Sequence, residues 1–188
     1  MPRTRLLALT ALLVMHTGAT SHPAKQGPIG GIAARLLAAQ NSERARVGAQ
    51  PLQWDPALAE HAASYGPVLA QLGALVHSPR EGRPGERENL ARAWHGTMSP
   101  EQLVGMWTDE RRLLGPGSRL FPASSLSGRW EDIAHYTQMV WPATTRVGCA
   151  IYSADWDYLI CRYSPPGNID GKPVFVTARV AQPALASR

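Results

Sequence analysis

An α+β domain, with helices gathered ahead of a small sheet that they cover, is what the order of patterns along this sequence predicts. Two observations carry that expectation. Apolar residues recur at helical spacing in several segments of the first two thirds, and the last third turns β-branched and aromatic between turn signals. A third bounds it: 188 residues suit one globular domain plus a removable leader, and 44% hydrophobic against 18% charged residues supplies a core and argues against disorder.

The elements follow in order. Residues 1–21 read as a secretory signal, with Arg3 and Arg5 ahead of an apolar run from Leu6 to Met15 and a small-residue cleavage site at Thr17-Gly18-Ala19. That run is roughly half of what crossing a bilayer needs, and nothing later approaches it, so no transmembrane anchor is expected. Residues 22–30, rich in Pro and Gly, form a mobile lead-in; the domain proper is placed at 31–180, with a tail at 181–188. Ile32, Leu36, Ala39 and Val47 fit one helix face that Gly48 ends. Asp55 before Pro56 is an N-cap with proline in the first turn, and Leu58, Ala62, Tyr65 and Leu69 continue at helical spacing. Gly66-Pro67 is expected to kink or shorten that helix. Ser78 to Ala91 reads as loop. Ser99-Pro100-Glu101-Gln102 is a capping box that opens a helix carrying Leu103, Trp107 and Glu110 and stopping near Gly115. A short helix covers Asp132 to Val140. Strands follow at Thr145–Tyr152, Tyr158–Tyr163 and Val174–Val180, with Pro165-Pro166-Gly167-Asn168 as a tight turn.

The formal charge is +5, of which the leader's Arg3 and Arg5 supply two. Arg80, Arg83, Arg87 and Arg92 are scattered and Arg111 and Arg112 paired, with no dense basic run among aromatics. No nucleic-acid partner is expected, and the arginines read as ordinary solvated surface. The two cysteines, Cys149 and Cys161, are best read in an exported chain as a disulfide facing across adjacent antiparallel strands. A two-cysteine metal site is the weaker alternative, because no His lies between or beside them.

Seven motifs, in order over roughly residues 32 to 176, carry a family resemblance. Asn41-Ser42-Glu43-Arg44 with Val47-Gly48 and Pro51-Leu52-Gln53-Trp54-Asp55 comes first. Leu75-Val76-His77-Ser78, Glu88-Asn89-Leu90-Ala91 and Trp107-Thr108-Asp109-Glu110 follow. His135-Tyr136-Thr137-Gln138-Met139-Val140-Trp141, Val147-Gly148-Cys149-Ala150 and the run from Cys161 to Asn168 complete the set. Together they resemble the CAP superfamily of cysteine-rich secretory proteins, insect venom antigens and plant pathogenesis-related proteins. The sequence departs from the family pattern at Arg87 and Ala134, where glycines are usual, and at Ala74, where a cysteine is often found. The additional cysteines of plant and animal members are missing, which favours a minimal, single-disulfide member of a bacterial kind.

The resemblance implies a three-layer α-β-α sandwich with a central antiparallel sheet and a cleft holding His77, Glu88, Glu110 and His135. Two imidazoles and two carboxylates suit Zn2+ or another divalent cation, with neutral histidine nitrogens as ligands at about 2.0–2.1 Å. His77 and His135 are the expected direct ligands, and Glu88 and Glu110, the catalytic candidates, either ligate or orient a bound water. Asn89 and Gln138 are polar residues in apolar motifs, expected to brace the tetrad or a loop backbone. The family's sterol site implies a lipid surface at Met139, Val140 and Trp141; the alternative is that Val140 and Trp141 are plain core. Trp54, Trp107 and Tyr136 read as packing residues, His61 and His95 as surface ones. The expected function is a secreted or periplasmic binding module for a small lipid, a sterol or an extracellular protein. A peptide hydrolase is the alternative, weakened because neither Gly-x-Ser-x-Gly nor His-Glu-x-x-His is present.

Overall fold

The computed structural model describes residues 30–115 and 119–175. The leader, most of the lead-in, the tail and all but the start of the expected strand at Val174–Val180 lie outside the described residues. Within them, Val174 and Phe175 are not part of a strand.

Helix α1 spans Gly31–Arg46, and Gly48 takes up the left-handed conformation (φ 72°) just beyond it. A two-residue strand β1, Gln53–Trp54, leads into helix α2, Pro56–Leu72. The Asp55 side chain accepts from Ala57 N–H and Leu58 N–H, and Gly73 closes the helix at φ 60°. The break expected at Gly66-Pro67 does not occur. Proline withdraws its N–H from the carbonyl of Ala63, and Ala63 is exposed, so water can take that acceptor. Gly66 instead lets α2 lie against the sheet: a Cβ there would meet Tyr152 Cβ at 2.4 Å.

Strand β2, Arg87–Trp94, begins inside the segment expected to be loop, Ser78 to Ala91, and runs past its end; the stretch before Arg87 is not strand. Helix α3, Pro100–Thr108, starts with both halves of the Ser99/Gln102 capping box and tightens into a 3-10 turn at Asp109–Leu113 that carries Glu110. The helix expected at Asp132–Val140 is divided into a 3-10 turn, Trp130–Ile133, and helix α4, Ala134–Met139. Strands β3, Arg146–Ser153, and β4, Trp156–Ser164, form a hairpin.

The sheet order is β1-β3-β4-β2, antiparallel except for the short β1, which pairs parallel with β3 at the edge. Alternation along β4 divides the core in two. Tyr158 and Ile160 pack with Ala62 and Leu69 of α2 and with Leu90. Leu159, Cys161 and Tyr163 pack on the opposite face with Leu36, Leu103, Trp107 and Tyr136. Three layers result, with α2 on one face and α1, α3 and α4 on the other. Cys149 and Cys161 are opposed in the β3–β4 register and bonded, closing a loop of sequence separation 12. In the chain-entropy account such a loop stabilises by roughly 3 kcal/mol. Among the described residues no helix is long and apolar enough to cross a membrane.

Candidate functional site

A cleft of about 720 Å³ opens where β2, α4 and the turn after β4 meet; its lining includes His77, Glu88, Asn89, His135 and Gln138. Glu88 enters it from the start of β2, opposite Arg162 on β4. Its carboxylate is fully buried and meets four groups. The Oε1 atom takes His77 Nδ1 at 2.7 Å and Ser78 N–H at 3.0 Å; Oε2 takes the Ser78 hydroxyl at 3.1 Å and Arg162 Nη2 at 3.0 Å. Burial pushes this carboxyl up, but His77, Arg162 and the Ser78 N–H outweigh it and hold Glu88 below its ordinary range.

A carboxylate held low in the folded state stabilises the fold above its unfolded value, and that contribution is lost as pH falls through the folded one. Urea unfolding followed with pH should therefore show stability dropping below the ordinary carboxylate range. Glu88→Gln should remove part of that slope and lower stability at neutral pH, where the buried Arg162 loses its nearer carboxylate and keeps only Glu86 at 3.7 Å. An unchanged slope would contradict this account.

The second pair is built alike. His135 on α4 meets Glu110 through Nδ1 and Oε1 at 2.5 Å, while Oε2 accepts from Tyr136 N–H at 2.9 Å. The imidazole lies within 15° of parallel to Trp107, whose Nε1 donates to the Leu90 carbonyl at 3.1 Å. A carboxylate only accepts, so each Nδ1 carries the hydrogen, and the neutral ring's lone pair sits on Nε2. The four side chains are thus two His–Glu pairs rather than one cage. Among the described residues no group of three or more His, Cys, Asp or Glu side chains is placed to hold a metal ion. Both carboxylates face Nδ1 atoms, so they orient the rings and are spoken for as ligands.

Asn89 Nδ2 donates to the His135 carbonyl at 2.9 Å, and Gln138 joins Thr144 Oγ1 at 3.1 Å to Gly167 N–H at 2.8 Å, fixing the turn that floors the cleft. Asn168, at φ 52°, donates to the Ala134 carbonyl and pins the same turn to α4. The lipid surface expected at Met139, Val140 and Trp141 is not there: all three lie in the core at 2% exposure or less. Trp54, Trp107 and Tyr136 are also core. His61 and His95 are exposed but tied to Glu86 and Asp157. Ser78 gives its hydroxyl hydrogen to Glu88, so no histidine base is poised on a serine nucleophile.

Sequence reasoning missed the rest of the cleft. Arg80, Arg83 and Arg87 line it, with Phe121, Pro122, Trp130 and Ile169 as apolar lining. Reading the arginines as solvated surface is corrected for Arg83, which is 7% exposed, and for Arg44 and Arg162, which are buried. The available signal was their clustering within eight residues, directly before the Glu88 motif.

A three-layer sandwich with His77, Glu88 and His135 on one cleft, and Glu110 behind His135 outside its lining, is the architecture of a CAP domain. The sequence matches the family model for the cysteine-rich secretory protein family (CAP) over residues 37–163, and the chain belongs to that family. It is 38% identical to pathogenesis-related protein 1B of Nicotiana tabacum over 138 residues, 72% of this chain and 76% of that one. Pathogenesis-related protein 1A1 of Solanum lycopersicum is 36% identical over 135 residues, 71% of each chain. Among solved structures, NaASP2 with Zn2+ superposes at TM-score 0.65 and 24% identity, covering 78% of this chain and 86% of that one. BmVAL-1 follows at TM-score 0.63 and 21% identity, covering 82% and 86%.

Proposed function

We propose that this CAP domain of the pathogenesis-related 1 type is an exported binding module whose cleft takes a divalent cation, zinc foremost, through Nε2 of His77 and His135. One observation carries the reading. Each histidine spends Nδ1 on a carboxylate, the second-sphere arrangement that fixes ring orientation and raises ligand basicity in metal sites. With Glu88 and Glu110 behind the rings, the donor set fits an open two-histidine site whose remaining positions go to water or to a ligand. When bound, the cation supplies Lewis acidity and a fixed positive charge. The protein's own part is to hold the two imidazoles, through the buried Glu88–Arg162 pair and through Trp107. Crystallisation of NaASP2 with Zn2+ supports the same reading for a protein of this fold.

Export is supported by the disulfide, which persists in oxidising compartments. The ligand is a small lipid or sterol, or an extracellular protein. The apolar lining of Phe121, Pro122, Trp130 and Ile169 supports a small molecule. Peptide hydrolysis finds less support, since Ser78 faces a glutamate.

Calorimetric titration of the purified protein with zinc tests the reading. Binding at micromolar affinity or tighter is expected, and it should vanish in the His77→Ala/His135→Ala double variant. No heat, or equal heat from both proteins, would remove the cation from the proposal.

A further inference from the structure

We propose that Arg80, Arg83 and Arg87 form an anion-binding subsite in this cleft, and that its ligand is an amphipathic anion: a phosphate or carboxylate group on an apolar body. The subsite lies beside the histidines but does not depend on a bound cation.

Three cations on one short stretch line one cavity. Of the neighbouring carboxylates, Glu88 is engaged with Arg162 and His77 and Glu86 with His61 and Arg162, while Asp170 lines the same cavity and offsets the three cations in part only. Arg83 is almost wholly buried, yet its hydrogen bonds run to neutral carbonyls, from Nε to Ser78 at 3.1 Å and from Nη1 to Glu86 at 3.2 Å. Among the described residues Nη2 has no protein acceptor, although the side chain borders the cleft. Arg87 uses Nε on the Gly167 carbonyl at 3.1 Å, which leaves both terminal nitrogens of its fork available. Burial, then the charges of Arg80 and Arg83, hold the Arg87 guanidinium below its ordinary value, with Asp170 a lesser opposing influence. A bound anion would relieve that repulsion, and guanidinium forks match the oxygens of phosphate and carboxylate.

The apolar body follows from the rest of the lining. Phe121 and Trp130 meet edge-to-face with centroids 6.0 Å apart, and Trp130 remains 44% exposed beside Pro122 and Ile169. Basic residues and an exposed indole sharing one cavity select against both a free inorganic anion and a neutral lipid.

The test is calorimetry with phenyl phosphate and inorganic phosphate, in EDTA, on wild type, Arg80→Gln/Arg87→Gln and Trp130→Ala. Arg83 is spared because its backbone bonds hold the loop. Phenyl phosphate should bind in EDTA and more tightly than inorganic phosphate. The arginine pair should cost about tenfold or more in affinity, since each loses charge-assisted bonds, and Trp130→Ala should erase the preference for the aryl ester. Binding that requires zinc and ignores the arginines would overturn the subsite while leaving the cation reading intact. Binding that is lost with the arginines and persists in the His77→Ala/His135→Ala variant supports it whatever the zinc titration shows. Phosphatidylcholine vesicles doped with phosphatidic acid form the second arm. Capture that fails with the arginine variant assigns the group to a lipid headgroup, and soluble-probe binding without capture assigns it to a free small anion. Failure of both probes to bind wild type, or unchanged binding by the arginine variant, would overturn the proposal.

Discussion

Arg44→Ala should lower the unfolding free energy by about 3–5 kcal/mol, one of the two largest effects expected of a single substitution in this chain. The side chain leaves α1 fully buried and meets no carboxylate. It donates instead to four carbonyls: Gln50 at 2.7 Å, Met139 at 2.9 Å, Trp141 at 3.0 Å and Thr144 at 2.9 Å. Burial lowers the guanidinium to about 10, still charged at neutral pH. Removing it strands those acceptors away from water, at about 1–3 kcal/mol for each group left unsatisfied, with relaxation recovering part of the sum. Arg44→Lys should fall between, because one ammonium cannot span the same fan of oxygens. Urea unfolding with unchanged m-value would measure the loss; a change below about 1 kcal/mol would show that the loop from 139 to 144 holds itself. Since Thr144 also receives Gln138 beside the cleft, zinc affinity should fall with stability.

Arg44 also marks where sequence reading reached its limit. It stands in Asn41-Ser42-Glu43-Arg44, a polar run that looks like a solvated helix face, yet Glu43 and Arg44 are both buried. No periodicity distinguishes an arginine aimed at solvent from one aimed at a loop a hundred residues away. The capped helix starts were legible because Asp55-Pro56 and Ser99-Pro100-Glu101-Gln102 satisfy their own backbone groups locally. Strand β2 was not, since Arg87–Trp94 contains no β-branched residue. Its extended form is imposed by β4, to which all eight of its residues pair. The same limit blurred the site. The motifs named His77, Glu88, Glu110 and His135, but only the fold reveals that each glutamate is tied to one imidazole and that Nε2 alone is left free. It likewise turns three arginines that look unremarkable in sequence into the lining of one cavity.

Family resemblance and geometry pull apart at Met139–Trp141, and packing decides between them. Met139 and Val140 are wholly inaccessible, and Trp141 meets Phe121 edge-to-face with centroids 6.3 Å apart. Opening such a surface to a lipid would cost the transfer of several large side chains, about 1.5–3 kcal/mol each. The cleft's apolar lining already offers Trp130 and Ile169 at no such cost, which is why we place the proposed ligand there rather than at Met139–Trp141.

Gly148→Ala is the second large effect, and it acts on the sheet rather than on the cleft. Gly148 sits in β3 under the first turn of α2, so close that a Cβ would fall 2.2 Å from Ala59 N, 2.5 Å from Asp55 O and 2.6 Å from Leu58 C. All three are backbone atoms, and no rotamer change relieves them. Either α2 lifts from the sheet or β3 shifts, and β3 is tied to β1, to β4 and through Cys149 to Cys161. Overpacking a core costs about 1–3 kcal/mol where side chains can yield; here the loss should reach about 3 kcal/mol or more. Gly66→Ala offers a comparison within the same helix, because its obstruction is the side chain of Tyr152, which can move at least in part. Thermal unfolding of the two variants should therefore rank Gly148→Ala below Gly66→Ala and both below wild type. The reverse order would mean that α2 is held to the sheet by its Gly66–Leu69 end and that its capped first turn can ride up freely.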